Sequence, residues 1–158
     1  SSCLQTTATK ELRMERLIAH SDFHTAHRQL RYPGKCRFIH GHTWEGTLTL
    51  ETERFPRNDL DMSIDFGDLK AVFRHMDHKM LVSEEDTAFS ADLGFDPEGI
   101  IVIPGSNPSV ENIAYYCMDK AVQVIQDQYP NQGLLYHMEI AILETSNNTF
   151  TITRDVTV

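Results

Sequence analysis

The sequence predicts an α+β fold. It reads β-β-α-α-β-β, a four-stranded antiparallel sheet with two helices on one face. Three observations predict it. Residues 43–53 alternate between apolar and polar, the two-residue period of a half-buried strand. Residues 65–79 and 107–128 carry apolar side chains at helical spacing. Residues 134–145 and 149–158 are two further β-rich stretches, divided by the turn pair Asn147-Asn148.

Taken in order, residues 14–23 (MERLIAHSDF) read as the first strand. Pro33-Gly34 marks residues 28–37 as a loop. In the second strand, Trp44, Gly46, Leu48 and Leu50 face one way, and Glu45, Thr47, Thr49 and Glu51 the other. Asp65 is a good N-cap for the first helix, with Asp68 placed favourably for the helix dipole. Phe66, Leu69, Phe73 and Met76 form its apolar stripe, and it is expected to end near Asp77, His78 and Lys79. Residues 82–108 form a long connection, in which 100–103 is a candidate edge strand. Asn107-Pro108 opens the second helix, with Pro near its first position. Its stripe runs from Val110 through Ile113, Cys117 and Ala121 to Ile125, and Tyr129-Pro130-Asn131 stops it. In the third strand, Leu134, Tyr136, Met138, Ile140, Ile142 and Glu144 share one face.

The 158 residues suffice for one domain with a real core, expected over 14–158 behind a disordered tail at 1–13. At 41% hydrophobic and 23% charged, the chain has the composition of an ordinary soluble globular protein. No apolar run approaches a membrane span, and the N-terminal residues lack the apolar core of a signal peptide, so no membrane is expected. Three cysteines without a pairing pattern indicate a reducing, cytoplasmic setting. A net charge of -9 argues against nucleic acid as a partner, because backbone phosphates call for a broad basic face.

Against that acidic background, residues 23–44 (FHTAHRQLRYPGKCRFIHGHTW) stand out. They hold His24, His27, His40 and His42, and no acid occurs between Asp22 and Glu45. Arg28, Arg31, Lys35 and Arg37 make the segment basic, which suits a small anion. His40 and His42 point to the same side of a strand, so both imidazoles can reach one ion. A pair of this kind also occurs on surfaces without a metal. A third ligand is needed, and His27 is the best candidate. Three neutral imidazoles suit zinc and leave a position open for water or substrate.

Cys36 has two functional readings and a bland one. It could close the site as a fourth ligand, or stand beside it as a nucleophile or base whose thiol Lys35 and Arg37 acidify. It could also be a small buried hydrophobe, as Cys117 is expected to be; Cys3 lies in the polar tail. Glu144 breaks an otherwise apolar strand face and calls for a donor partner, which an amidine-like ring edge would supply. Glu111 sits in a first helical turn, where acids are common. Asp77 and His78 are a possible acid–base pair, although neighbours on a helix do not face one another.

Together these residues resemble the 6-pyruvoyltetrahydropterin synthase and 6-carboxytetrahydropterin synthase family. The resemblance runs through His27 in F-x-x-A-H, Cys36-x3-His40-Gly41-His42, and Asp65-Phe66 with Leu69-Lys70. It continues through Asp77-His78, Pro108-Ser109 with Glu111-Asn112, and Glu144-Thr145, over about residues 16–152. The resemblance implies the tunnelling fold, closing into a barrel as a homo-hexamer of two trimers with interfacial active sites. It implies zinc on His27, His40 and His42. Cys36 would be the general base, aided by Asp77 and His78 from a neighbouring subunit. Glu144 would anchor the pterin ring, with Glu111 a lesser candidate. The substrate would be 7,8-dihydroneopterin triphosphate. The short spacing from Cys36 to the histidine pair, and Ile64-Asp65-Phe66, look more like the carboxy enzyme of queuosine biosynthesis than the pyruvoyl enzyme. The connection at 82–108 is longer than in many members. A reading of another class is a non-catalytic oligomeric scaffold, with Cys36 closing a structural zinc site.

Overall fold

The computed structural model describes residues 13–158. The expected tail, apart from Arg13, lies outside that range, as does Cys3. The described chain runs β1 (Glu15–His27), β2 (His40–Thr52), α1 (Phe66–Arg74), β3 (Lys79–Ser83), β4 (Ile100–Ile103), α2 (Val110–Gln128), β5 (Leu135–Thr145) and β6 (Asn148–Thr157). The fold is α+β, as expected.

The sheet is larger than the sequence suggested. It has six strands in the order β4-β3-β1-β2-β5-β6. The four long strands are antiparallel neighbours. Two short ones extend the sheet beyond β1, and both pair in parallel. β3 lies in what read as the end of a helix and the start of a connection. Its five residues show no alternation, and parallel pairing with β1 makes it a strand. A parallel neighbour needs a crossover of about a dozen residues or more. That requirement accounts for part of the length of the 82–108 stretch.

Both long strands around the histidines reach further than expected. β1 runs on to His27, and β2 starts at His40. Register then puts His27 opposite His40 and Thr25 opposite His42. The second helix begins at Val110, two residues past the expected start at Pro108. Ser109 is its N-cap, accepting from the Asn112 N–H at 3.2 Å, and Pro108 precedes the cap.

The first helix is capped by Asp65, which accepts from the Gly67 N–H at 2.7 Å. It stops at Arg74, short of Asp77. Leu69, Phe73 and Met76 are fully buried, but Phe66 is 45% exposed, because the buried stripe begins only one turn later. The core lies between the two helices and one face of the sheet. Phe23 stacks between Trp44, at 5.9 Å, and Phe73 of α1, at 6.3 Å. Alternate residues of β1 and β2 point into this core, and the same alternation carries His27, His40 and His42 to its end.

Candidate metal centre and its surroundings

The ligand atoms of His27, His40, His42 and Glu144 all lie within 4.8 Å of one another. Strand geometry brings them together. Antiparallel pairing sets His27 against His40, the pleat puts His42 on the same face, and β5 supplies Glu144 from the other side of β2. His27 is completely buried. Its Nδ1 donates to the Pro108 carbonyl at 2.7 Å, and His40 Nδ1 donates to the Phe38 carbonyl at 2.7 Å. A carbonyl can only accept, so each bond puts the proton on Nδ1 and leaves the Nε2 lone pair for a metal.

Two of the nitrogens are orphans. Among the described residues, His27 Nε2 and His42 Nε2 are buried and lack a hydrogen-bond partner. Glu144 Oε1 is 3.3 Å from His42 Nε2 and 3.6 Å from His27 Nε2, and neither approach completes a hydrogen bond. Unpaired buried polar atoms are costly, and an ion held between them removes that cost. Burial holds His42 below the ordinary imidazole range, against the pull of Glu144. Glu144 is held below the usual carboxylate range by His27 first, against the opposing effect of burial. His42 Nε2 is the nearer atom, but His27 is the more deeply buried and so the less screened. Neutral imidazole and ionised carboxylate are the protonation states that bind zinc, and three histidines with a carboxylate are a donor set that zinc accepts.

Cys36 is not part of this ligand group. It sits in a short 3-10 turn, Lys35–Arg37, and lines a cavity of about 450 Å³ together with Lys35, His40, His42 and Glu144. That position speaks against Cys36 as the residue that closes a structural site. Thr145, the last residue of β5, and Asn148, the first of β6, complete the cavity wall. The sequence reading did not single out either residue in that role.

Asp77 and His78 do pair, within one chain. His78 Nδ1 donates to Asp77 Oδ2 at 2.7 Å, and the His24 backbone N–H donates to Asp77 Oδ1 at 2.7 Å. The expectation that helix neighbours cannot meet fails because the helix has already ended. His78 adopts a left-handed backbone, φ 60°, which turns its ring back onto Asp77. The His24 N–H, and then His78, hold the Asp77 carboxyl below its ordinary range. His78 lines a different cavity from Cys36, with His24, Thr43 and Lys79 among its walls. His42 lines both. Within one chain the pair and the thiol are therefore not brought into one cavity. Glu111 is exposed in the first turn of α2, away from the Cys36 cavity.

The basic island is less free than its sequence suggested. Arg28 makes two 2.7 Å bonds to Asp86, and Arg31 makes one to Glu85. Arg37 donates to the Pro33 and Gly34 carbonyls and stacks on Phe38. Lys35 is the cation that lines the Cys36 cavity.

Residues 16–155 match the family described as 6-pyruvoyl tetrahydropterin synthase. The chain belongs to that family. Family members of this type are tetrahydropterin synthases, lyase-type enzymes acting on pterins. The chain is 28% identical over 100 residues to a 6-carboxy-5,6,7,8-tetrahydropterin synthase of Rickettsia typhi, covering 60% of this chain and 71% of that one. It is 28% identical over 105 residues to a putative enzyme of the same name from Pyrococcus abyssi, covering 60% of this chain and 65% of that one. Its fold matches a catalytic-residue mutant of Plasmodium vivax 6-pyruvoyltetrahydropterin synthase. There the TM-score is 0.66 and the identity 20%, over 91% of this chain and 99% of the other. The fold is thus the tunnelling fold expected from the sequence. No helix among the described residues is long and apolar enough to cross a membrane.

Proposed function

We propose that this synthase is a zinc-dependent lyase converting 7,8-dihydroneopterin triphosphate to 6-carboxy-5,6,7,8-tetrahydropterin, with loss of acetaldehyde and triphosphate, on the queuosine route. The observation that carries the reading is the pair of unpartnered imidazole nitrogens, on His27 and His42, beside a cavity that Cys36 lines. Zinc on His27, His40 and His42 would supply a Lewis acid that polarises the substrate's side-chain hydroxyls. Cys36 would accept the proton from the adjacent carbon, within the cavity it shares with His40 and His42.

Asp77 and His78 form a ready proton relay, but His78 lines another cavity and neither residue lines that of Cys36. That separation supports a homo-oligomer, a hexamer of two trimers, in which a neighbouring subunit completes each site. Glu144 takes the pterin ring, and Glu111 a lesser supporting role. The names of the curated relatives support the carboxy product over the pyruvoyl one. The unpaired cysteines support a cytoplasmic setting.

Incubation with 7,8-dihydroneopterin triphosphate tests the reading. A product with the mass of 6-carboxytetrahydropterin, released together with acetaldehyde, is expected. A 6-pyruvoyl product would reassign the reaction. In Cys36→Ala, zinc should stay and turnover should fall by about 100-fold or more; unchanged turnover would remove the thiol from the mechanism.

A further inference from the structure

We propose that residues 84–108 clamp the segment that carries Cys36, with Asn107 and Asp86 as positioning residues. The inference rests on the reading of Cys36 as the proton acceptor. The chain leaves β1 at His27 and re-enters the sheet at His40, so strand pairing fixes both ends of this segment. Between them its backbone bonds are local. The Gln29 N–H donates to the Cys36 carbonyl at 2.8 Å, and the Tyr32 N–H donates to the Gln29 carbonyl at 3.3 Å. These bonds tie Cys36 to Gln29. They do not tie Gln29 to the body of the fold.

That second tie comes from residues 84–108, on both sides of Gln29. Arg28 is held by two 2.7 Å bonds to Asp86, whose side chain is only 4% exposed, and its guanidinium lies 5.0 Å from the Phe89 ring centre. Leu30 is held by Asn107. The Leu30 N–H donates to Asn107 Oδ1 at 2.5 Å, and Asn107 Nδ2 donates to the Leu30 carbonyl at 3.2 Å. One amide side chain thus pairs with one residue's backbone in both directions, as a neighbouring strand would. Such a pair needs a donor and an acceptor on one planar group. A carboxylate at 107 would meet the Leu30 carbonyl with like charge.

Asn107 is anchored in turn. Its carbonyl accepts from Asn112 Nδ2 at 2.9 Å, in the first turn of α2. The next residue, Pro108, supplies the carbonyl that fixes the His27 ring. One short stretch therefore references the thiol segment and a metal-site imidazole to the same helix start. Proton transfer is sensitive to displacements of well under 1 Å, so a clamp of this kind sets rate more than binding.

The test uses the full, zinc-loaded chain and three readouts. These are zinc content, kcat and KM on 7,8-dihydroneopterin triphosphate, and the alkylation rate of Cys36 by iodoacetamide, followed peptide by peptide. Asn107→Ala and Asp86→Asn should each lower kcat at least tenfold with KM within threefold, and change the Cys36 alkylation rate at least threefold. Zinc should stay stoichiometric. Asp119→Ala, which removes a distant exposed pair with Arg154, should leave all three unchanged. Wild-type alkylation and kcat in both variants would overturn the clamp. Loss of zinc in step with kcat would overturn it too, assigning Asn107 to support of His27 instead. Hydrogen exchange on the unsubstituted protein covers the case of variants that do not fold. The clamp requires the Gln29 and Leu30 amides to exchange as slowly as those of β4, and exchange tenfold faster overturns it. If Cys36→Ala retains turnover, the base assignment fails, while the alkylation and exchange readouts still report on the clamp.

Discussion

His27 and His40 face each other directly across the β1–β2 ladder, and each donates its Nδ1 proton to a carbonyl oxygen 2.7 Å away. The two acceptors come from different parts of the chain, Pro108 before α2 and Phe38 before β2. Ring orientation and tautomer are therefore set before any ion arrives. The ligand geometry belongs to the sheet, not to the metal.

This arrangement predicts how the protein responds to losing its ion. His40→Ala should weaken zinc binding by more than the roughly 10–100-fold that outer-sphere changes cost. Competition with a chromogenic chelator measures it, and full occupancy in the variant would refute the ligand set. Chelation of the wild-type protein should leave its far-UV circular dichroism intact, because the Phe23–Trp44–Phe73 stack holds that end of the sheet without a metal. A structural scaffold would melt instead.

Gly46 makes a second prediction, this one about packing. A Cβ built there would lie 2.3 Å from the Phe73 ring, which is fully buried and stacked on Phe23. Gly46→Ala should destabilise the fold by about 1–3 kcal/mol, the usual cost of overpacking a core. Denaturant titration reads that loss, and an unchanged midpoint would mean that α1 can move away freely.

Much of this was legible before the structure. Alternation in residues 43–53 gave the face that Trp44, Leu48 and Leu50 bury, and the same alternation extended backwards aligns His40 and His42. Glu144 stood out because its strand face is otherwise apolar. What the sequence hid has physical reasons. β3 is five residues long and pairs in parallel, so it leaves no period to read. The Asp77–His78 pair depends on one left-handed residue, which no spacing announces. The fate of the basic island depended on Glu85 and Asp86, more than fifty positions away in the chain.

The Arg28–Asp86 pair predicts a pH dependence. Arg28 first, against burial, holds the Asp86 carboxyl below its ordinary range. A depressed folded pKa means that the stabilisation is complete above the unfolded value, about 3.9, and is lost as pH falls through the folded one. Asp86→Asn should therefore cost about 1.5–3 kcal/mol at neutral pH, the range for hydrogen bonds to charged groups. The difference from wild type should shrink on acidification below about pH 4. Urea titrations across that range check it, and a difference independent of pH would place the cost in packing, not charge.

Glu144 gives the prediction that separates two roles for one carboxylate. Its Oε1 lies between His27 and His42, close enough to join the ligand group, yet its side chain also faces the cavity that Cys36 lines. Three histidines already make a sufficient zinc site with one position open. A carboxylate already held in its ionised form can accept two parallel N–H bonds from the pyrimidine edge of a pterin. Glu144→Gln replaces one acceptor oxygen with a donor, so the edge would meet N–H against N–H. Sites built to hydrogen-bond a ligand lose it strongly when the match is broken. The variant should keep one zinc per chain and bind a pterin analogue at least about tenfold more weakly. Calorimetric titration of the analogue, with zinc content measured on the same sample, decides the matter. Equal affinity would move the pterin anchor elsewhere, and loss of zinc would make Glu144 the fourth ligand.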